Sequence, residues 1–394
     1  MISVAEAKDL IQLHTPVLSI ESVMLDDSLS RILAEEIYSP IDLPPFKQSS
    51  MDGYAFSYLK WDKESPLKVI GEIAAGATSY PILQSNEAVR IFTGARLPDS
   101  SDTVIMQEKV EKKDDRIYLM EENLNAGAHV RPKGFEILKD SKALQKHSII
   151  TPATIGFLAS LGINQVPVLK LPSIGLLITG NEIQSIGTPL EIGKVFDSNS
   201  HSILAAIKIA GINAVSIHHI SDGINELTHA IQNALAVNDF VILTGGVSVG
   251  DYDLVVEACK NNQVETIFHK IKQKPGKPMY FGAKGEKLIF GLPGNPSSAL
   301  TCFYEYVEPS LKKMIGKQSG VTVTHLPMAT NYKKNAAITH FLKAMYNGKS
   351  VALLDAQESF RLKSFTVANS LIMIPEGITE IIAGEMVEVH ILPE

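Results

Sequence analysis

The segment "DFVILTGGVSVGDYDLVVEACK", Asp239 to Lys260, decides the fold. "FVILT" is a strand-length apolar run without polar alternation, the pattern of a strand covered on both faces. Gly245, Gly246 and Gly250 follow, and glycines let a backbone turn sharply and approach a ligand closely. "DLVVEACK" then has helical spacing. An apolar strand, a glycine-rich turn and a helix make one βα unit of a parallel sheet.

The same alternation extends in both directions over residues 171–315. Upstream stand a strand in "SIGLLITG", a helix in "SHSILAAIKIAG", a strand in "INAVSIHHI" and a helix in "INELTHAIQNALA". Downstream, "ETIFHKIKQK" and "KLIFGLPG" read as strands and "PSSALTCFYEYVEPSLKKMI" as a helix. This predicts a doubly wound, mainly parallel α/β domain within a multidomain α/β chain. Residues 1–44 and 145–170 are expected to form a helical part. In it Ser3 and Glu6 have capping-box spacing, a second helix lies around Leu29–Ile37, and Thr151-Pro152 opens a third. Between them, residues 45–144 alternate short β-like runs with Gly, Asp and Asn, as in a β-rich insert. Residues 316–394 read as a small C-terminal β-barrel-like domain.

Composition narrows the function. A chain of 394 residues is long enough for two to four domains. Its 36 Lys+Arg against 43 Asp+Glu give a net charge of -7, without the basic excess of a nucleic-acid binder. The only cysteines, Cys259 and Cys302, lack metal-ligand spacing and fall in predicted helices as buried apolar residues. The histidines form no H-E-x-x-H pattern, so a zinc site is not expected. No apolar run has the length of a membrane span, and "MISVAEAKDLIQLH" has no signal-peptide core. A cytoplasmic protein is expected.

Ligands of open α/β sheets bind outside the carboxyl ends of the strands, which sorts the candidate residues. Glu182 follows "LLITG", Asp222 follows "SIHHIS", and Asp251 and Asp253 follow the glycine loop. Three strands thus deliver acids to one edge, and Asp197 before the next helix can join them. Each acid alone is more often a helix cap or loop residue, and it is the convergence of three loops on one edge that favours a site. The glycine loop is no Walker A motif, because no Gly-Lys-Ser/Thr ends it. Lys270, Lys272 and Lys274 recur at period two, as on one face of a strand, with Lys277 after a Pro-Gly turn. A sheet edge protected by lysines and an anion site both account for them. In "GLPGNPSSAL", Asn295 suits an N-cap and Pro296 the first helical turn. The N–H groups beyond, with Ser297 and Ser298, suit a phosphate. The insert offers Asp52 in "SSMDGYAF", Thr93 and Arg96 in "IFTGARLP", and Arg131, Lys133 and Glu136 in "RPKGFEI".

"SSMDGYAF", "IFTGARLP", "ITGNEI", "TGGVSVGDYD", "KPGKP" and "GLPGNPSSA", in this order, resemble the molybdopterin molybdenumtransferases, the molybdenum insertases related to the E domain of gephyrin. The resemblance covers essentially the whole chain. It implies insertion of molybdenum from molybdate into adenylylated molybdopterin, with Mg²⁺-dependent release of AMP. It further implies an elongated homodimer, small-molecule substrates, and transient contact with other proteins of molybdenum cofactor biosynthesis, with neither nucleic acid nor membrane as partner. Carried over residue by residue, Asp52, Thr93, Glu182, Asp222 and Asp253 would be catalytic, the last three positioning Mg²⁺. Gly245, Gly246, Ser248, Gly250, Lys270, Lys274, Lys277, Pro293, Asn295, Pro296, Ser297, Glu136, Arg131 and Ser364 would contact substrate. Departures from the family pattern are Glu136 and Asn181, each where Asp is usual, and Ile338 and Lys343 where arginines are usual. The competing readings are a molybdopterin adenylyltransferase, which shares the α/β core but lacks the insert and C-terminal region, and a non-catalytic anion-binding scaffold.

Overall fold

The structure, a computed structural model, describes residues 1–245, 254–318, 320–334 and 337–393. They fall into two compact units: residues 1–21, 30–32 and 168–394 form one, and residues 22–29 and 33–167 the other.

In the first unit, helix α1 (Val4–His14) is capped by Ser3, whose hydroxyl accepts the Glu6 N–H at 3.2 Å. Its buried face is Val4, Ala7 and Ile11, the helical period expected from sequence.

The second unit holds a six-stranded sheet. Its strands are β1 (Gly53–Phe56), β2 (Leu67–Ile73), β3 (Glu87–Ile91), β4 (Thr103–Met106), β5 (Val110–Lys113) and β6 (Arg116–Leu119), in spatial order β4-β1-β3-β2-β6-β5. Both faces of β1 are buried. Tyr54 and Phe56 pack with Leu67 and Ile105, while Ala55 packs with Ile73 and Val104 on the other side. Helix α2 (Pro152–Ser160) begins where predicted, with the Thr151 hydroxyl accepting the Thr154 N–H.

The expected helix around Leu29–Ile37 does not form. Ser30 takes a left-handed φ of 64°, and the Leu33 and Ala34 N–H groups bond to the distant carbonyls of Ser148 and Pro167. Ile32, Leu33 and Ala34 are all buried, whereas a surface helix would turn one of three successive residues to solvent.

The rest of the first unit is organised by a second six-stranded sheet. In chain order its parts are β7 (Ile174–Thr179), α3 (Asn199–Ile209), β8 (Val215–Ile220), α4 (Ile224–Val237), β9 (Phe240–Thr244) and α5 (Leu254–Asn261). There follow β10 (Glu265–His269), β11 (Gln273–Lys274), β12 (Tyr280–Lys284), β13 (Lys287–Leu292), α6 (Pro296–Cys302) and α7 (Glu308–Met314). The order is β8-β7-β9-β13-β12-β10. The first four strands are parallel, while β12 runs antiparallel to both its neighbours. Sequence reading missed β12.

Alternation along the strands splits the core in two. Ile174, Leu176 and Ile178 face one layer with α1, α3, α6 and α7, whereas Leu177, Val241, Leu243 and Ile289 face α4 and α5. That is the doubly wound arrangement predicted. Between α6 and α7 the turns widen to a π-helix at Phe303–Val307. The C-terminal sheet comprises β14 (Thr322–Pro327), β15 (Thr339–Tyr346), β16 (Ser370–Ile374) and β17 (Met386–Ile391), with Val351–Leu353 beside β15. Strand β11 leaves the α/β region and pairs in parallel with β15.

Candidate active site at the carboxyl edge of the sheet

Register fixes which residues share the functional edge. Thr179 at the end of β7 lies opposite Ile220 at the end of β8, and Thr244 at the end of β9 opposite Leu292 at the end of β13. Across the antiparallel pairs, Gly291 meets Tyr280 and Tyr280 meets His269, so β10 also ends at this edge. Asp222, Asn181 and Glu182, Gly245, Pro293 and Lys270 therefore follow strands ending on one rim. At about 4.8 Å per strand, the five spacings from β8 to β10 put Asp222 and Lys270 about 24 Å apart. The rim is acidic at one end and basic at the other.

The floor between the ends is backbone. Gly245 has φ +85°, and a Cβ there would fall 2.4 Å from the Thr179 carbonyl oxygen, so any side chain would collide with the end of β7. A Cβ on Gly294 would meet the Cα of Gly245 at 3.6 Å, which brings the turn after β13 against the turn after β9. Asn199, at the start of α3, donates its Nδ2 to the Gly294 carbonyl at 2.9 Å. Around this floor, Thr244 Oγ1, Asn199 Oδ1 and Ser297 Oγ are buried without a hydrogen-bond partner among the described residues. Buried polar atoms are normally satisfied, so three orphans around one floor fit a ligand that supplies partners. Thr244 and Asn199 were not picked out in the sequence: a threonine ending a strand and an asparagine opening a helix carry no signal there.

The loops after β7 and β8 clasp each other. The Asn181 N–H donates to Asp222 Oδ2 at 3.0 Å, and the Asp222 N–H donates to Asn181 Oδ1 at 3.2 Å. Asparagine supplies here the same acceptor oxygen that an aspartate would, without a second charge beside Asp222. Lys194, also unmarked in the sequence, donates to the Asn181 carbonyl at 2.5 Å. It arrives because Val195 N–H bonds the Glu182 carbonyl, folding residues 183–196 back on the loop. The Glu182 side chain is exposed and curls toward Gly180, where a Cβ would lie 2.7 Å from its Oε2. Asp197 belongs instead to the framework. It is 3% exposed, accepts the Ser200 N–H and hydroxyl, and pairs with His219 at 2.9 Å. Burial alone would raise its carboxyl, but the Ser200 and His219 interactions outweigh that and hold it below the usual range.

The lysines do not share one strand face. β10 stops at His269, Lys270 turns to a left-handed φ of 82°, and the chain crosses to another sheet before Lys274. The Lys270 carbonyl and the Lys272 N–H pair with Ile2, which ended the period-two reading. Lys274 is exposed and lines a cleft of about 280 Å³ with Pro275, Tyr332, His340 and Gln357. His340 has a buried Nε2 without a partner among the described residues, and its Nδ1 lies 2.8 Å from the Tyr332 hydroxyl. Burial and the charges of Lys334 and Lys274 push its pKa down to about 4. Lys277 is exposed after Gly276.

Several expected contacts are committed elsewhere. Asn295 occupies the N-cap position of α6, but its side chain donates to Ser359 Oγ at 3.1 Å and makes no capping bond. The Ser297 N–H is taken by the Ser359 carbonyl, so the helix start offers fewer free donors than the sequence promised. Pro293 is buried and Pro296 partly so. The buried Ser364 hydroxyl bonds the carbonyls of Ala356 and Arg361. Lys343, 3% exposed, donates to the same two carbonyls, so its charge is spent on the framework.

In the other unit, Asp52 and Thr93 meet. Asp52 Oδ1 accepts the Thr93 N–H at 2.8 Å and its hydroxyl at 2.7 Å. These two bonds, with the Arg90 charge, hold the Asp52 carboxyl below its usual range. Gly53 beside it is obligatory, because a Cβ would fall 1.9 Å from the Ile105 carbonyl oxygen. Arg131, paired in register with Gln48, and Glu136 are both exposed. Gly246, Ser248, Gly250, Asp251 and Asp253 lie outside the described residues.

No three His, Cys, Asp or Glu side chains among the described residues cluster closely enough to hold a metal alone. What the edge does offer is hard oxygen: the Glu182 and Asp222 carboxylates and the orphaned Thr244 and Ser297 hydroxyls. Of these, the two carboxylates, on loops after adjacent strands, fit Mg²⁺, which is usually held by one or two carboxylates plus substrate phosphates and keeps several waters.

A doubly wound sheet whose carboxyl edge carries a glycine floor, orphaned polar groups and opposite charges at its two ends defines the class of the protein, an open α/β sheet with its candidate site at the strand ends. Comparison with known proteins makes this specific. Residues 2–162 match the MoeA N-terminal region (domain I and II), residues 175–313 a probable molybdopterin binding domain, and residues 325–392 the MoeA C-terminal region (domain IV). The chain is 33% identical over 393 residues to a molybdopterin molybdenumtransferase of Haemophilus influenzae, covering 98% of this chain and 97% of that one. It is 31% identical to one of Staphylococcus epidermidis, covering 98% and 95%. A molybdopterin biosynthesis moeA protein from Pyrococcus horikoshii superposes with a TM-score of 0.85 at 31% identity, covering 99% of both chains. The chain belongs to the molybdopterin molybdenumtransferase family, and is thus a transferase of molybdenum cofactor biosynthesis.

Proposed function

We propose that the chain transfers molybdenum from molybdate to adenylylated molybdopterin and releases AMP, working as a cytoplasmic homodimer that hands its product on through transient contacts with other proteins of the same pathway. The observation that carries this reading is the single rim. Its acids, glycine floor and lysine are strung along about 24 Å, which suits a ligand with a pyrophosphate in its middle better than a compact anion.

The division of labour follows from the residues. Gly245 and Gly294 let the ligand lie against backbone, and the orphaned Thr244, Asn199 and Ser297 atoms gain their missing partners from it. Lys270, Lys274 and Lys277 balance the charge of phosphoryl groups and of molybdate, a tetrahedral dianion. Glu182 and Asp222, joined by Asp253, are the residues to hold Mg²⁺, which when bound would polarise the phosphoryl oxygens. The Asn181 clasp keeps Asp222 turned to the rim. Asp52, kept ionised by Thr93, is a further acid for the same reaction.

The test uses purified protein with adenylylated molybdopterin, MgCl₂, and molybdate present or absent. AMP release should depend on molybdate and fall at least about tenfold in Asp222→Ala and in Asp52→Ala, as for loss of a metal-positioning or electrostatic group. Release that ignores molybdate and is equal in all three proteins would overturn the reading. Light scattering should give twice the chain mass for the homodimer.

A further inference from the structure

A cavity of about 490 Å³ lies in the second unit, within the β-rich insert. Three features define its chemistry. Its wall includes the rings of Tyr58, Trp61 and Tyr118. Trp61 is fixed by edge contacts with Phe56 and Tyr58, at 5.7 and 6.2 Å between centroids, and by its indole N–H bond to the Ser65 carbonyl. The Lys63 ammonium sits 3.3 Å from the centre of the Tyr58 ring, and makes no ion pair among the described residues although Glu64, Glu121 and Glu122 line the same cavity. Finally, Glu121 Oε2 is buried without any hydrogen-bond partner among the described residues.

Each feature points to a cation. An aromatic face attracts an ammonium, most strongly when water is excluded. A buried carboxylate oxygen lacking a donor is costly until one arrives. The lining carries three carboxylates and one ammonium, a formal deficit of two positive charges. The backbone at Lys63 has a φ of 74°, a conformation uncommon for a lysine, so this ammonium is held over the ring at some local cost.

We propose that this cavity binds a small aliphatic diamine or polyamine. Its primary ammonium groups would take the Tyr58 face now covered by Lys63 and, as the part-buried Glu121 side chain turns its Oε2 into the cavity, donate to that oxygen, with Glu64 and Glu122 balancing the remaining charge. An N–H donor is required by Glu121, so a quaternary ammonium satisfies only the ring. Lys63 then acts as a tethered competitor that a polyamine displaces. The proposal is independent of the molybdenum chemistry at the other site.

Trp61 is the only tryptophan, so its fluorescence reports this cavity directly. Full-length protein is titrated with spermidine, and with tetramethylammonium and MgCl₂ at matched ionic strength, with calorimetry as a second readout. Saturable spermidine binding is expected, roughly fivefold or more weaker in Glu121→Gln and several-fold tighter in Lys63→Ala. Tetramethylammonium should bind more weakly and be insensitive to Glu121→Gln. An unchanged ligand-free Trp61 spectrum in Glu121→Gln establishes that this variant is folded. No saturable binding by either readout in both wild type and Lys63→Ala overturns the proposal. So does an equal response to MgCl₂, or equal spermidine affinity in Glu121→Gln.

Discussion

Gly53→Ala and Gly71→Ala, two substitutions in one sheet, should have opposite effects. At Gly53 the new methyl would lie 1.9 Å from the Ile105 carbonyl oxygen, 1.1 Å inside the 3.0 Å that real Cβ contacts essentially never cross. The obstacle is backbone in the ladder between β1 and β4, so it cannot rotate away. Overpacking usually costs 1–3 kcal/mol, and a rigid obstacle places this case near the top, about 3 kcal/mol. At Gly71 the methyl meets only Val89 Cγ2 at 4.0 Å, so the smaller unfolded-state entropy should stabilise by about 0.5 kcal/mol. Urea unfolding followed by Trp61 fluorescence reads this unit, because Trp61 packs on Phe56 of β1. With a slope of about 2 kcal/mol per molar urea, the midpoint should fall by about 1.5 M for Gly53→Ala and rise by about 0.2 M for Gly71→Ala. A Gly53→Ala midpoint at or above the wild-type value would refute the packing logic, as would equal damage from both.

Thr93→Ala removes one of the two bonds holding Asp52 ionised, so the Asp52 carboxyl should titrate at higher pH by NMR and the acid limb of AMP release should move up with it. Asn181→Ala abolishes the acceptor for the Asp222 N–H and should cost about tenfold in AMP release, whereas Asn181→Asp, which keeps that oxygen, should retain most of it. Equal losses in both would show that the clasp does not position Asp222. Glu305 is fully buried between Lys8 and His390, at 2.7 Å from each. Glu305→Ala should destabilise by about 3–5 kcal/mol in a denaturant melt, because it strands buried charge. Burial alone would raise the Glu305 carboxyl, but Lys8 and His390 lower it below its ordinary 4.5. Its contribution should therefore be full above that pH and fade as pH falls, and the variant's melt should lose this acid sensitivity.

The centre of the α/β core was legible because β7, β9 and β13 are covered on both faces, so their apolar runs and glycine stops are unambiguous. Asp52 and Thr93 each stood beside a glycine but were singled out by the family resemblance, and their hydrogen bonds to each other could not be read from the sequence. What escaped notice depended on contacts distant in sequence. Leu29–Ile37 has apolar residues enough for a helix, but its N–H groups are claimed by Ser148 and Pro167. Lys270, Lys272 and Lys274 mimic one strand face only because a left-handed residue is invisible in the letters. Asp197, before a helix, was grouped with the strand-end acids, and only its burial beside His219 shows it to be a framework acid. Lys194 entered the site through a fold-back that no motif announces.

Strand β11 has a consequence for how the chain can be divided. Gln273 and Lys274 leave the α/β sheet to become the edge of the C-terminal one, in register with Thr339 and His340. The C-terminal sheet thus fixes the backbone of Lys274, although some sixty residues of sequence separate the two paired strands. A fragment ending near residue 315 would keep its strands and helices yet leave Lys274 on an unpaired, sticky ribbon. The cores are separate, but β11 ties the backbone after the α/β sheet to the C-terminal one.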